Sequence, residues 1–351
     1  MSNFDEYKRL TEPDKKEKLE IWQTAIGLQD VDGLKPSDYL IETAKQNIDG
    51  KITINDVKEL LNAYYKTKCE KSDSEDRCDS RTEEADKVSA YIAGILAEKT
   101  FKFSPAELIS IHRRLFTGIY KFAGVIRDYN ISKDEWVLNG DTVYYASADG
   151  IKETLDYDFE AEKKFDYKGL STKQKVEHIA DFISGVWQIH PFGEGNTRTA
   201  AVFLIKYLRS MGFSVSNDLF AEHSWYFRNA LVRANYNKHV TGTYPTMEYL
   251  LRFLGNLLLD EKNILRNRDL RIRAENDDNN ENKVQNKVQD KVQNDILKII
   301  ADRPNITQKE LAELISKSER TIKMIMTTMQ EQNLITRSGS KKTGCWKILR
   351  R

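Results

Sequence analysis

The sequence predicts a mainly α-helical protein that carries a small C-terminal domain with three helices and two short strands. Apolar residues recur at helical spacing through much of residues 14–265. A stretch of charged and amide residues begins at 266, where that pattern stops. Residues 294–351 then resume with three short helical segments and two runs of strand-forming residues.

Composition limits the classes of protein that this chain can represent. It has 351 residues, enough for two or three domains, and its 40% hydrophobic and 31% charged residues are ordinary for a globular protein. The net charge of +1 predicts no general attraction to nucleic acid or membranes. Residues 1–6 lack a secretory leader, and no apolar run approaches the roughly 18 residues of a membrane span. We therefore expect a cytoplasmic protein without membrane contact.

Three cysteines, Cys69, Cys78 and Cys345, give an odd count. In a reducing cytoplasm we expect free thiols, with a Cys69–Cys78 bridge or half of a metal site as the alternative. No Cys and His spacing along the chain is typical of a zinc site.

Helix signals organise the first 83 residues. Pro36–Asp38 predicts a helix start, residues 48–53 predict a turn, and Thr53 is expected to cap a second helix. Residues 67–82 are polar and predict a loop.

The most informative stretch is residues 190–198, because apolar helical periodicity begins directly after it. The first N–H groups of a helix have no internal partner and carry partial positive charge. Gly195 allows close approach of a ligand to the backbone, so Gly195, Asn196 and Thr197 are expected to hold a phosphate at the helix entrance. Arg198 is expected to bind a phosphate oxygen through charge-assisted hydrogen bonds.

Two side chains of the same stretch suit chemistry at a phosphate. His190 is the group that can accept a proton near neutral pH. Glu194 can hold Mg²⁺, which favours one or two carboxylates together with substrate oxygens. In the structural alternative, His190 is a core histidine and Glu194 is only a charge at a helix entrance.

These residues resemble the signature of the Fic family, H-x-F-x-[DE]-G-N-x-R. All six specified positions match: His190, Phe192, Glu194, Gly195, Asn196 and Arg198. The resemblance implies a helical Fic core and transfer of AMP from ATP to a Tyr, Thr or Ser hydroxyl of a protein, which includes the chain itself.

The resemblance also implies roles for individual residues. His190 would take the proton of the hydroxyl, and Glu194 would carry Mg²⁺ on the α and β phosphates. Gly195, Asn196 and Arg198 would hold the diphosphate. Phe192 would pack the loop into the core, and we count Phe192, Gly193 and Thr197 among the residues that form the nucleotide site.

Two further segments resemble parts of the family. Residues 122–127 resemble its F-A-G-x-x-R segment. Residues 136–145 are candidates for the flap, a hairpin that docks the target as an added strand, because Asn139-Gly140 between strand-formers is a strong hairpin signal. The predicted docking residues are Val137, Leu138, Val143 and Tyr144. An ordinary surface hairpin is the alternative.

Residues 226–235 resemble the helix that closes over the adenine in Fic proteins. Phe227 and Asn235 are the candidates for contact with the base. Aromatic residues at helical spacing also pack in cores, so a structural role is the alternative for both.

The chain departs from the family where many members carry a second arginine, because Ala201 stands there. The inhibitory pattern Ser/Thr-x-x-x-Glu-Gly/Asn is also missing. Three alternatives follow: a less constrained γ-phosphate with another form of regulation, a donor other than ATP, or weak activity. The helix pair before residue 66 resembles antitoxin-like segments, and an antitoxin-type regulator is a candidate partner.

The C-terminal segment resembles a winged helix-turn-helix. Residues 294–351 contain 12 basic and six acidic side chains, a net charge of +6 that suits a DNA backbone. The candidate DNA contacts are Arg320, Thr321 and Lys323 in the recognition helix and Lys341 and Lys342 in the wing. Docking of a protein is the alternative.

We expect four parts: a helical and regulatory segment at 1–83, the Fic core at 84–265, a linker with a K-V-Q repeat at 266–293, and the winged helix-turn-helix at 294–351. Two functions remain open. One is a protein adenylyltransferase that uses ATP and Mg²⁺. The other is a DNA-binding regulator whose Fic core senses a nucleotide or transfers another nucleotide or phosphate-containing group.

Overall fold

The structure is a computed structural model, and it describes residues 13–70, 80–215 and 218–272 together with parts of 296–349. The chain divides into two compact units, Met1–Ile272 and Arg273–Arg351. Residues 273–293, which carry the K-V-Q repeat of the predicted linker, lie outside the described residues, as does Cys78. Residues 266–272 of that linker are described and belong to the first unit. The four predicted boundaries therefore stay a proposal.

Helices build the described part of the first unit. They are α1 Pro13–Gly27, α2 Asp38–Ile48, α3 Ile54–Glu70, α4 Ser80–Ala97, α5 Pro105–Phe116, α6 Ile151–Lys164, α7 Thr172–Ile189, α8 Asn196–Ser210, α9 Asp218–Asn235 and α10 Glu248–Leu258. Short 3-10 turns interrupt the connections at Leu28–Asp32, Trp136–Leu138, Ala148–Gly150, His239–Thr241 and Asn267–Leu270. Among the described helices, none is both long and apolar enough to cross a membrane.

Serine caps set several of these helix starts, and the one at Ser37 lies where the sequence predicts a helix start. Ser37 accepts a hydrogen bond from Leu40 N at the start of α2, and Ser104 accepts one from Glu107 N at the start of α5. Ser171 forms a capping box with Gln174 at the start of α7. Each cap satisfies N–H groups that the helix itself cannot pair.

The N-terminal helices belong to the same hydrophobic core as the rest of the first unit. Trp22, Leu40 and Tyr65 are buried in one cluster with apolar residues of α7 and α8. A buried carboxylate adds a polar connection, because Asp86 of α4 accepts hydrogen bonds from the Ser37 and Tyr65 hydroxyls. Residues of the first 83 positions are thus packed onto the later helices, which no local pattern predicted.

The second unit contains α11 Gln308–Leu314 and an antiparallel hairpin of β1 Ile335–Ser338 and β2 Cys345–Ile348. Ile335 pairs with Ile348, and Ser338 pairs with Cys345. Trp346 is buried in a core with Ile300 and Leu311. The predicted fold class, mainly helical with a C-terminal winged helix-turn-helix, is confirmed, and the two-stranded hairpin that the structure shows is β1 and β2 of this second unit.

The hairpin predicted at residues 136–145 does not form. Asn139 and Gly140 do make a turn with φ values of 55° and 89°, but Trp136–Leu138 is a 3-10 turn and no strand follows. Part of the reason is that the Val137 carbonyl accepts its hydrogen bond from Ile272 N at 2.9 Å, outside the segment.

The predicted docking residues are therefore corrected. Val137, Leu138 and Val143 are buried at 0–2% exposure in the core, so their side chains are not presented to a target. Tyr144, at 78% exposure, is the one of the four that faces solvent.

Candidate active site

The loop between α7 and α8 carries the predicted site, and its backbone is shaped by two residues with positive φ. His190 ends α7 with φ 51°, and its N–H donates to the Trp187 carbonyl. Gly195 precedes α8 with φ 79°, and a Cβ there would lie 2.3 Å from Cζ of Phe116. Only glycine meets both demands at position 195. For His190, such a conformation costs on the order of 1 kcal/mol and marks a position where strain accompanies function.

Asn196 braces this loop from within. The Phe192 N–H donates to Asn196 Oδ1 at 3.0 Å, and Asn196 Nδ2 donates to the Phe192 carbonyl at 2.7 Å. Phe192 is buried and stacks on His112 with ring centroids 3.7 Å apart. Thr197 is buried and accepts a hydrogen bond from Trp187 Nε1 at 3.0 Å. The side chains of these three predicted nucleotide residues therefore shape the loop. The Phe192 N–H is already paired, so the backbone N–H groups of Asn196 and Thr197 are the ones that could meet a ligand.

Two groups outside the loop hold it in place. Arg127 donates to four carbonyls, those of Tyr129, Ala146, Ile189 and His190. His112 bridges the loop to α5, with Nδ1 accepting from Gly124 N and Nε2 near the Glu194 carbonyl at 3.0 Å. Because a carbonyl can only accept, His112 is neutral with its proton on Nε2, and burial lowers its pKa to about 4.

His190 is buried with only 3% of its surface exposed. Its Nδ1 lies 3.1 Å from the Trp187 carbonyl, which fixes the proton on Nδ1 and leaves Nε2 as the nitrogen that can take a proton. Burial lowers the pKa of His190 well below its usual value, and the nearby charge of Lys133 lowers it further. The imidazole is therefore neutral at pH 7, as a general base must be.

The His190 ring rests on a buried polar group. It packs against Tyr145 at a centroid distance of 4.2 Å, and the Tyr145 hydroxyl donates to Glu135 at 3.2 Å. Glu135 is 1% exposed and pairs with Arg228 of α9 at 2.6 Å. Burial raises the pKa of Glu135 despite the opposing charge of Arg228.

Glu194 faces a cation of the chain itself. Lys133 Nζ lies 3.0 Å from each of its carboxylate oxygens. Burial acts to raise the pKa of Glu194, but Lys133, the Gly195 N–H and the charge of Arg198 together outweigh burial, so the net pKa is lowered and the carboxylate is ionised at neutral pH. Among the described residues, no three acidic, His or Cys side chains cluster as a metal site. A single ionised carboxylate fits Mg²⁺ that takes its other ligands from a substrate and water.

Arg198 occupies a different place from the one the sequence predicts. Its guanidinium is 1% exposed and contacts Asp32 at 2.8 Å and Glu84 at 2.7 Å. It also donates to Gln29 Oε1 at 3.2 Å and stacks over the Phe116 ring. The positive charge is thus matched by two carboxylates from the N-terminal part of the chain. Its predicted role as a phosphate clamp is not supported by these contacts.

A cavity of about 670 Å³ opens beside Glu194. Its walls come from residues 30–34, α4, the segment before residue 136, the loop and α9, and they include Arg81, Glu84, Tyr120, Lys133, Glu194, Arg198, Trp225 and Arg228. This volume lies within the usual range of about 300–1,000 Å³ for small-molecule and cofactor sites. Of the predicted nucleotide and metal residues, Glu194 and Arg198 line it.

The two residues predicted to contact adenine are corrected. Phe227 is fully buried and packs against Phe220 and Phe253 in the core. Asn235 donates through its amide to Ser184 of α7. The aromatic side chain of α9 that does line the cavity is Trp225, two residues before Phe227. A kink at His223 interrupts the helical backbone just before Trp225. A regular helical repeat of apolar residues therefore does not predict which side chains of α9 face the cavity.

Sequence reasoning missed several residues that surround the loop. Asp32 and Glu84 precede Arg198 by more than a hundred residues, and no local pattern joins them. Arg228 lies within residues 226–235, the segment in which Phe227 is the predicted contact, and Lys133 lies just before the predicted hairpin. Of the predicted DNA contacts, Lys323 is exposed, whereas Arg320, Thr321, Lys341 and Lys342 lie outside the described residues.

The loop, its neutral imidazole and the adjoining cavity define a helical domain with a candidate phosphate site. Residues 102–208 match the model of the Fic/DOC family, and residues 289–336 match that of winged helix-turn-helix DNA-binding domains. The chain therefore contains a Fic domain followed by a winged helix-turn-helix domain.

Two curated relatives are similar to part of the chain. Protein adenylyltransferase VbhT of Bartonella schoenbuchensis is 25% identical over 142 residues, which are 40% of this chain and 28% of the relative. A protein adenylyltransferase of Bartonella henselae is 24% identical over 163 residues, 44% of this chain and 29% of the relative. The match thus spans less than a third of each curated relative.

Solved structures are similar to it as well. A Fic family protein from Desulfovibrio desulfuricans aligns with 99% of this chain and 91% of its own, at 13% identity and a TM-score of 0.45. An N-terminal Fic domain of a Bartonella quintana protein with bound ADP aligns with 53% of this chain and 88% of its own, at 21% identity and a TM-score of 0.42.

Proposed function

We propose that this protein is an adenylyltransferase that moves AMP from ATP to a hydroxyl side chain of a protein, its own chain included. The observation that carries the proposal is a neutral imidazole and an ionised carboxylate on one short loop that opens α8, with a cavity of nucleotide size beside the carboxylate. The names of the two curated relatives support the same reaction class.

In the proposed reaction, Nε2 of His190 takes the proton of the acceptor hydroxyl. The hydroxyl oxygen forms a bond to the α-phosphorus of ATP, and the bond from that phosphorus to the bridging oxygen of the β-phosphate breaks. Pyrophosphate leaves with the electron pair of that bond. The strained position of His190 and its hydrogen bond to Trp187 hold the accepting nitrogen in one orientation, which favours the transfer.

Phosphate binding is assigned to the backbone at the start of α8. Gly195 caps this helix without a side-chain hydrogen bond, so the N–H groups of residues 196–198 remain available to an anion. Mg²⁺ held by Glu194 would neutralise phosphate charge. Trp225 replaces Phe227 as the side chain on which we expect the base to stack, because it lines the cavity.

ATP labelled at different phosphates tests the reaction. Purified full-length protein, incubated with Mg²⁺ and a cell lysate, is expected to transfer label from the α position of ATP to protein. No transfer is expected from the γ position, since pyrophosphate leaves. Chelation of the metal with EDTA is expected to abolish transfer.

The other three nucleoside triphosphates, each labelled at the α position, serve as matched donors. Equal transfer from all of them would contradict a preference for ATP. Transfer from the γ position would replace the proposal with phosphoryl transfer.

A second candidate function is DNA binding by the C-terminal domain, and the match to a winged helix-turn-helix DNA-binding model favours it. With a net charge of +6 over residues 294–351, retention of the full chain on duplex DNA is expected to fall steeply between 50 and 200 mM salt, by roughly tenfold or more. The measurement is fluorescence anisotropy of labelled DNA. Retention that does not change with salt, or no retention at low salt, would favour protein docking by this domain.

A further inference from the structure

Four basic side chains line the cavity: Arg81, Lys133, Arg198 and Arg228. Their partners set Lys133 apart from two of these arginines. Arg198 is held by Asp32 and Glu84, and Arg228 is held by the buried Glu135. Lys133 instead pairs with Glu194, the carboxylate to which the proposed function assigns the metal. Lys133 Nζ lies 3.0 Å from each carboxylate oxygen, so a divalent cation that binds Glu194 would sit close to an ammonium of the same charge sign. We expect this repulsion to move Lys133 away from Glu194 when the metal binds.

The displaced side chain would remain beside the cavity. Lys133 lines it and keeps about a quarter of its side chain exposed, so the ammonium can move without crossing packed core. Its backbone is fixed independently, because the Lys133 N–H donates to Thr142 Oγ1 at 3.2 Å. Because the backbone is held and the four-carbon side chain is flexible, the Lys133 ammonium can reach several positions around Glu194.

An anion is the partner that a freed ammonium at this place would find. The N-terminal end of α8 is next to Glu194, and a phosphate there would lie near both the metal and Nζ. The side chain at position 201 of α8 is a buried alanine, so it supplies no positive charge for a phosphate. A metal–nucleotide complex would therefore displace Lys133 from Glu194, and the freed ammonium could then bind a phosphate of the same nucleotide.

We propose that Lys133 is a displaceable counter-ion of Glu194, and that it becomes a ligand of the β- or γ-phosphate when a divalent metal and a nucleotide bind together. This inference rests on the proposed function. It makes metal and nucleotide binding cooperative: the metal alone must compete with Lys133, whereas the phosphate offers the displaced ammonium a new partner.

The test compares wild-type full chain with Lys133→Met by binding alone. Mn²⁺ binding without nucleotide, followed by electron paramagnetic resonance, is expected to be about fivefold tighter in Lys133→Met, because the competing ammonium is gone. ADP binding in the presence of Mg²⁺, followed by calorimetry, is expected to be about tenfold weaker, because one charge-assisted contact is lost. AMP, which has no β-phosphate, is expected to bind both proteins equally.

Controls separate this inference from general effects. Lys121→Met removes an exposed lysine that does not line the cavity and should leave both affinities unchanged. If Lys133→Met proves unstable, Lys133→Gln is the second variant, because it keeps a polar side chain. If either the Mn²⁺ or the ADP affinity of the variant equals that of wild type, Lys133 is a static ion-pair partner and the inference is wrong. If wild type binds neither Mn²⁺ nor ADP, the proposed function itself fails and the inference with it.

Discussion

Replacement of His190 by Ala is expected to lower the rate of AMP transfer by about 100- to 10,000-fold, which is the usual contribution of a positioned general base. The reason is the orientation of the ring: Nδ1 is committed to the Trp187 carbonyl, so Nε2 is the group that can take the proton. The measurement is the initial rate of label transfer from α-labelled ATP.

A loss of activity in this variant could come from loss of the base or from loss of folding, because His190 is buried and ends α7 with positive φ. His190→Asn is the better-matched variant, since Asn tolerates this backbone conformation and can still donate to the Trp187 carbonyl. It should melt close to wild type and still fail to transfer. His239→Ala, an exposed histidine, is the control that should retain full activity. Undiminished transfer by His190→Asn would contradict the assignment.

The pH dependence of the wild-type transfer rate also tests the role of His190 as the general base. Because the pKa of His190 is lowered well below its usual value of about 6.5, the ring stays neutral as the pH falls through 6.5. The rate is therefore expected to remain near its maximum at pH 6, whereas an exposed histidine base would already be mostly protonated there.

Replacement of Arg198 by Met is expected to lower the free energy of unfolding by about 3 kcal/mol, the lower end of the range for breaking a buried ion pair. Arg198 is 1% exposed and pairs with both Asp32 and Glu84, so the variant leaves two carboxylates without their cation. Those carboxylates are only partly buried, which is why we expect the lower end of the range. The measurement is urea unfolding followed by fluorescence of the buried Trp22 and Trp187.

Two comparisons make this prediction specific. Arg268→Met removes an arginine with a side chain 74% exposed and should cost under about 1 kcal/mol. Adding Asp32→Asn and Glu84→Gln to Arg198→Met should recover part of the loss, because the unmatched charges are then removed. If Arg198→Met instead unfolds like wild type but binds ADP far more weakly, Arg198 would be a phosphate ligand after all, as the sequence pattern predicts.

Local sequence patterns predicted the elements of this site well where the physical rule was local. The helix start at Pro36–Asp38, the helix cap at Thr53 and the turn at Asn139-Gly140 all follow from preferences that involve a few neighbouring residues. The same rules failed for the hairpin. They recognise a turn, but whether the flanking residues pair with each other depends on competing partners such as Ile272, far along the chain.

The chain's own residue order determined that it contains a Fic domain and a winged helix-turn-helix domain, and that His190 and Glu194 share one loop before a helix. Both properties depend on spacing within a short segment. Only the tertiary structure decided which charges meet: Arg198 with Asp32 and Glu84, Lys133 with Glu194, and Arg228 with Glu135. The physical reason is that a charge takes its partner from whatever the packing of helices brings within about 4 Å, and that packing joins segments that lie 61 residues apart for Lys133 and Glu194 and 114 residues apart for Arg198 and Glu84.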